Sequence, residues 1–304
     1  KLLNARGEDI VEKHGLAHPM LLTRDRLSQV MCMELAEGQI SGGGVVLDLT
    51  GIPPYRMEAL RPILPKPALR GERRLPVAPT AHFHMGGVKI NERAETSVPG
   101  LYAAGEVCAG VHGANRLSGN ALTEAWVFGA IAGREAARGA KETVPGSLPP
   151  DELAAEIERL QQMGSGKRVE KAGPLVRSLQ QIMWCGAGIV RDAGSLKRAQ
   201  GEIAGLRERL QQLSAAEEQR PQLVARLGNM LTVSDMICGA ALYRAESRGA
   251  HYRQDCPEQN DDCWLQNVLV AKKHGRMSLS TERVQLTRVR PSTLGEPAVF
   301  VPHR

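Results

Sequence analysis

The sequence predicts an α+β chain of more than one domain. Three observations carry this. The first half mixes short β-branched runs with glycine turns and helical patterns, whereas the second half is a series of long amphipathic helices. Between them lies KETVPGSLPPDE (141–152), rich in proline, glycine and charge, which reads as a linker. At 304 residues and 42% hydrophobic content there is material for two or three cores.

In chain order, residues 26–37 place Leu27, Val30, Met31 and Leu35 at helical spacing, and Gly38 stops the run. GGGVVLDLTGIPP (42–54) is glycine, a β-branched strand and a proline stop. Residues 75–90 are expected to form a strand entering and a strand leaving a turn at Met85-Gly86-Gly87, and GLYAAGE (100–106) a short buried strand. A helix rich in small residues is expected from Asn120 to about Arg138, with Gly129 and Gly133 four apart for close packing. After the linker the pattern predicts a helical bundle with helices at about 151–163, 173–191, 195–213 and 220–247. One or two strands and an irregular tail close the chain, with no repeat at a fixed period.

Composition excludes several function classes. The formal charge of +6 is spread among acidic residues, with no Lys/Arg block and only 3% aromatic residues to stack on bases, so no nucleic-acid partner is expected. No apolar run approaches the roughly 20 residues a membrane helix needs, so no direct membrane insertion is expected. The opening residues carry neither a start Met nor a signal-peptide core, which leads us to expect a soluble, cytoplasmic protein and a piece of a longer chain. Six cysteines without a C-x-x-C pair are expected to be reduced and mostly buried, and no metal site is expected. Cys256, Cys263 and His251 have no zinc spacing. GSGKR (164–168) lacks the Ser/Thr and the preceding strand of a phosphate loop, and no G-x-G-x-x-G joins a strand to a helix anywhere.

Four separated blocks remain: TRDRLSQV, AHFHMGGV (81–88), the long segment GLYAAGEVCAGVHGANRLSGNALTEAWVFGAIAG (100–133), and ESRGAHYRQDCP. In that order they resemble the succinate dehydrogenase/fumarate reductase flavoprotein family, which includes L-aspartate oxidase. The resemblance covers nearly the whole chain and implies the carboxyl-terminal part of such a flavoprotein. Residues 1–75 would be the rest of a capping domain, 76–140 the returning segment of the FAD-binding domain, 150–260 the helical bundle domain and 261–304 a tail with short strands. The amino-terminal Rossmann half would be absent.

The resemblance implies FAD as cofactor, a small dicarboxylate such as fumarate or succinate as substrate, and an iron–sulfur electron-transfer subunit as partner. Any membrane association would then run through partner subunits. On their own, His82 reads as a core histidine and Arg116 as half of a surface ion pair; by motif they would hold substrate carboxylates, which need cationic or hydrogen-bonding donors. His84, His112 and the E-S-R-G-x-H block (246–251) read as structural. Arg24 would be the proton donor to the substrate double bond, with Gln29 where the family usually has a second arginine. Glu106, otherwise a loop acid, would accept hydrogen bonds from the ribityl hydroxyls. Asn120, Ala121 and Leu122 would offer helix N-terminal N–H groups to the flavin O2/N1 edge, with Ala121 where the family often has serine. The resemblance leaves L-aspartate oxidase as the alternative enzyme. A reading of another class is a noncatalytic module, inactive in isolation, whose helical domain serves protein contacts.

Overall fold

The protein is described by a computed structural model that covers residues 1–16, 22–36, 44–142, 146, 149–162, 171–212 and 221–285. It is α+β and multi-domain. The chain divides into two compact units, Lys1–Leu148 and Pro149–Arg304.

The first unit opens with β1 (Leu2–Leu3), α1 (Ile10–Lys13), α2 (Arg24–Ala36) and β2 (Val45–Asp48). There follow α3 (Pro54–Leu60), a 3-10 turn at Arg61–Ile63, α4 (Lys66–Leu69) and β3 (Arg74–Val77). β2 is central, antiparallel to both neighbours, and its register sets Val45 opposite Val77 and Leu47 opposite Leu75. Because strand side chains alternate, these four share one face. At one end that face packs on Ile10, Val30 and Met31; at the other, Leu47 and Leu75 join Leu49, Met57 and Ala68. The opposite face carries Asp48, Arg74 and Pro76, the last tolerated because β3 is an edge strand. α2 begins two residues before the predicted start, and Gly38 lies outside the described residues.

Residues 75–90 do not form the strand–turn–strand unit the pattern suggested. β3 belongs to the first sheet, whereas β4 (Val88–Lys89) pairs in parallel with β5 (Cys108–Ala109) in a second one, and the connection is irregular. GLYAAGE is not a buried strand either: Tyr102 makes one isolated bridge to Glu95, and Leu101 and Glu106 are exposed. The short strand falls just after it, at β5. α5 (Asn120–Glu142) runs a full turn beyond its predicted end. A Cβ at Gly129 or Gly133 would meet nothing within 4 Å, so the close packing expected there does not occur among the described residues.

The second unit begins with α6 (Pro150–Gln162), then α7 (Ala172–Ala187), β6 (Val190–Arg191) and α8 (Ala193–Gln211). α9 (Pro221–Tyr243), β7 (Tyr252–Arg253), α10 (Asp261–Trp264) and the hairpin β8 (Gln266–Lys273) and β9 (Arg276–Arg283) complete it. Leu175 and Leu179 of α7, Leu196, Ile203 and Leu206 of α8, and Leu227, Leu231 and Cys238 of α9 form one core. At Gly186 a Cβ would stand 2.6 Å from that of Ala199, so glycine sets the approach of α7 to α8.

The predicted helix 173–191 stops early. Asp192 Oδ1 accepts the Ser195 N–H at 2.8 Å while Ser195 Oγ accepts the Asp192 N–H at 3.1 Å, a reciprocal cap that starts α8 and leaves residues 190–191 to pair with β7. Likewise α9 ends at Tyr243 rather than 247, because buried Arg253 donates through Nη1 to the carbonyls of Ala241, Leu242 and Arg244. The hairpin turns at His274 and Gly275, both with positive φ, as two-residue hairpins require. All six cysteines are free, but only Cys108 and Cys238 are buried, and Cys185 and Cys263 are exposed, against the expectation of mostly buried thiols. GSGKR and the end of the tail lie outside the described residues.

Candidate functional site

The local geometry starts at Gly87. A Cβ there would be driven into the Val107 carbonyl, so only glycine lets residues 82–88 lie against 106–108. The Val88 N–H then reaches Val107 O at 2.8 Å, and the His84 N–H donates to Glu106 Oε1 at 2.9 Å. Three blocks far apart in the sequence are thereby gathered: the histidine pair, the Glu106 turn, and the glycine-punctuated loop 110–119 that leads into α5.

Within this cluster Phe83 is the hub. The Arg116 guanidinium carbon sits 4.5 Å from the centre of its ring, and His112 meets the same ring edge-to-face at 5.1 Å and 80°. His112 is held in turn by Glu124 of α5, Nε2 to Oε2, at 3.0 Å. Arg116 donates from Nη1 to the adjoining Leu117 carbonyl at 3.2 Å, and its Nε is buried without a partner, as is Glu124 Oε1. Among the described residues no carboxylate lies within ion-pair distance of Arg116, which disposes of the surface ion pair. His82 is exposed, not a core histidine, and among the described residues makes no hydrogen bond or ring contact.

Arg24 is the first residue of α2 and is exposed. Among the described residues no hydrogen bond, ion pair or ring contact joins it to His82 or Arg116. Gln29 is buried one turn further along the same helix. The structure thus sets Arg116 on Phe83 and ties Glu106 to His84 of the same short segment that carries His82, and leaves Arg24 on a separate element. Reading the sequence missed Glu124 and the role of Phe83. The available signal for Glu124 was a lone acid in the otherwise small and apolar first turns of α5.

The donor set suits a flavin. One oxygen of exposed Glu106 accepts the His84 N–H, and the other accepts no hydrogen bond among the described residues, leaving it for a hydroxyl. In the first turn of α5 the backbone N–H groups of Ala121 and Leu122 accompany the positive potential of the helix N-terminus, whereas the Asn120 N–H donates to the Leu117 carbonyl at 3.3 Å. Leu117 and Leu122 flank it at 74% exposure each, an apolar surround for an aromatic ring system.

The E-S-R-G-x-H block has an internal role. Buried Glu246 accepts from Arg248 Nε at 2.7 Å, from the Asn260 N–H at 2.8 Å and from Arg244, and Arg248 reaches Asp261 at 2.5 Å. Burial, and then Arg191, bring the His251 imidazole down to about 4, so that it is neutral and its Nδ1 accepts from Arg191 at 3.0 Å. Among the described residues no group of three or more potential ligands could hold a metal, and no helix is long and apolar enough to cross a membrane.

Comparison with known proteins matches the FAD binding domain model over residues 2–122 and the fumarate reductase flavoprotein C-terminal model over residues 176–295. The chain belongs to the succinate dehydrogenase/fumarate reductase flavoprotein family. It is 33% identical to the fumarate reductase flavoprotein subunit of Mycobacterium tuberculosis, over 95% of this chain and 55% of that one. To the L-aspartate oxidase of a Synechocystis species it is likewise 33% identical, over 83% of this chain and 49% of the relative. A solved quinol-fumarate reductase with menaquinol molecules superposes with a TM-score of 0.82 at 28% identity, covering 96% of this chain and 56% of that one. The chain thus spans about half the length of the curated relatives it matches. FAD is the cofactor of this family, and the chain carries part of its binding domain.

Proposed function

We propose that this chain is the carboxyl-terminal part of a flavoprotein that interconverts fumarate and succinate. Residues 1–75 would complete a capping domain, 76–140 the FAD-binding domain and 150–260 a helical domain, with 261–304 as tail. The observation that carries the reading is Arg116: a guanidinium held on an aromatic face, with no protein carboxylate to neutralise it among the described residues, beside a segment that presents His82. A dicarboxylate needs two such anchors set apart, and charge-assisted N–H···O bonds of this kind fix its orientation as well as its affinity.

FAD, when bound, supplies the two-electron chemistry, giving or taking a hydride at one of the two central carbons of the substrate. Glu106 and the first turn of α5 would hold it, the turn through the backbone N–H groups of Ala121 and Leu122, since that of Asn120 is taken by the Leu117 carbonyl. His82 and Arg116 would bind the two carboxylates and orient the substrate between them. Arg24 would deliver a proton from an N–H to the other central carbon of the substrate. A guanidinium holds its proton firmly, so the transfer would be transient and refilled by a relay. Electrons would reach the flavin through an iron–sulfur subunit.

The second reading is L-aspartate oxidase, supported by the Synechocystis relative. Its substrate is also a four-carbon dicarboxylate and would use the same two anchors. Assaying the holoenzyme with fumarate and a reduced dye, and separately with L-aspartate and oxygen, decides between them. Turnover of neither compound overturns both readings.

A further inference from the structure

Arg116 sits in loop 110–119, where Gly110, Gly113 and Gly119 all adopt positive φ, and its only backbone anchor among the described residues is the neighbouring Leu117 carbonyl. A long side chain on such a loop would ordinarily sample many rotamers. An aspartate or glutamate could hold it, but would also cancel the charge a substrate carboxylate needs. Here an aromatic face does the holding: the guanidinium carbon lies 4.5 Å from the Phe83 ring centre. Phe83 is itself in an irregular segment, and what steadies it is His112, whose ring meets it at 80°.

His112 cannot turn freely, because its Nε2 is 3.0 Å from Glu124 Oε2 and the two side chains are only 4% and 1% exposed. Glu124 stands in the second turn of the 23-residue helix α5 and is its one buried residue among those described. The nearby buried carboxylate is therefore engaged by His112 and does not pair with Arg116.

We propose that Glu124, His112 and Phe83 are positioning residues, a stack that aims the Arg116 guanidinium at a substrate carboxylate while leaving its charge unneutralised. This rests on the reading of Arg116 as a carboxylate ligand. The three groups have no chemical step of their own, so their effect falls on how well the dicarboxylate is held.

The test is malonate binding to the holoenzyme, followed by the change in flavin absorbance, for Phe83→Leu, Phe83→Tyr, Glu124→Gln and Arg116→Ala. Phe83→Leu removes the ring face and is expected to raise the malonate dissociation constant about tenfold, with KM for fumarate rising more than kcat falls. Phe83→Tyr keeps the face and restores binding to within about twofold of the parent. Parent-like malonate binding by Phe83→Leu, alongside loss in Arg116→Ala, overturns the stack and leaves the site reading intact. Parent-like binding by Arg116→Ala overturns the site reading itself. Should Phe83→Leu fail to retain flavin, Glu124→Gln decides: binding weakened by about threefold or more supports the stack, and unchanged binding overturns it.

Discussion

His14 Nε2 lies 2.7 Å from Glu34 Oε1, in a pocket that shuts the Glu34 side chain wholly from solvent. Lys13 Nζ shares that oxygen at 2.8 Å, and Asn4 Nδ2 takes Oε2 at 3.0 Å. The bonds tie the start of the chain and the end of α1 to the last turn of α2. Burial alone would raise the carboxyl group, but the donors from Lys13, His14 and Asn4 outweigh it and hold Glu34 at about 2, below its ordinary 4.5.

The sign of the resulting pH dependence follows from the lowered value. Glu34 stabilises the fold fully above about pH 4.5, and this contribution is lost as pH falls towards 2. Glu34→Gln should therefore unfold at lower urea than the parent at pH 7, by about 2 kcal/mol, since hydrogen bonds to a charged group are replaced by weaker ones. The gap between variant and parent should narrow steadily as pH is taken from 4.5 to 2. A gap that stays constant across that range would mean that the charge on Glu34 contributes nothing.

How much of this was legible beforehand depended on how local the cause was. α2 was visible because Leu27, Val30 and Met31 repeat at the helical period, and all three do face the core. The end of α7 was not, because residues 186–191 are apolar enough to continue a helix; what stops it is a cap from Asp192 and a strand pairing with residues sixty positions away. The parallel pair β4–β5 has two residues per strand and no periodicity to detect. At the site, His82, Glu106 and Arg116 could be picked out by motif, whereas Glu124 and Phe83 matter only through contacts with His112 and Arg116 that loop geometry creates.

Gly87→Ala tests the scaffold of the site. The added methyl would press into the Val107 carbonyl, backbone that cannot move without breaking the Val88-to-Val107 bond and shifting His84 from Glu106. Overpacking of this kind costs roughly 1 to 3 kcal/mol. Flavin content of the purified holoenzyme should fall, and full flavin occupancy with parent stability would refute the close approach.

Arg253→Lys probes the second unit separately. The guanidinium, buried at 3% exposure, donates to three carbonyls at the end of α9 and grips both oxygens of Asp255 at 2.7 Å. Lysine keeps the charge but not the planar fork, and several carbonyls would be left without donors. The loss should be about 2 to 3 kcal/mol in unfolding free energy, read from urea denaturation. A Tm within a degree of the parent would show that water replaces these bonds at no cost.

Arg116→Ala should weaken dicarboxylate binding far more than flavin binding. Losing a hydrogen bond to a charged substrate carboxylate costs roughly 1.5 to 3 kcal/mol, so KM for fumarate should climb about tenfold or more while the flavin spectrum stays normal. Unchanged Michaelis and malonate inhibition constants would remove Arg116 from the site.

Arg24→Lys separates proton delivery from binding. Arg24 opens α2, whose far end is tied down by the Glu34 cluster. Lysine preserves the positive charge, and with it the attraction for a dicarboxylate, but a single ammonium on a flexible stem cannot reproduce the fixed N–H direction of guanidinium. Misplacing a proton donor by about 1 Å can cost on the order of a hundredfold, and losing general-acid help altogether roughly 10² to 10⁴-fold. The loss should therefore appear in kcat, with KM for fumarate within about threefold of the parent and flavin reduction by an artificial donor unchanged. A raised KM with normal kcat would make Arg24 a binding charge instead. Turnover at near the parent rate would make it a bystander, and the proton would then have to come from another group.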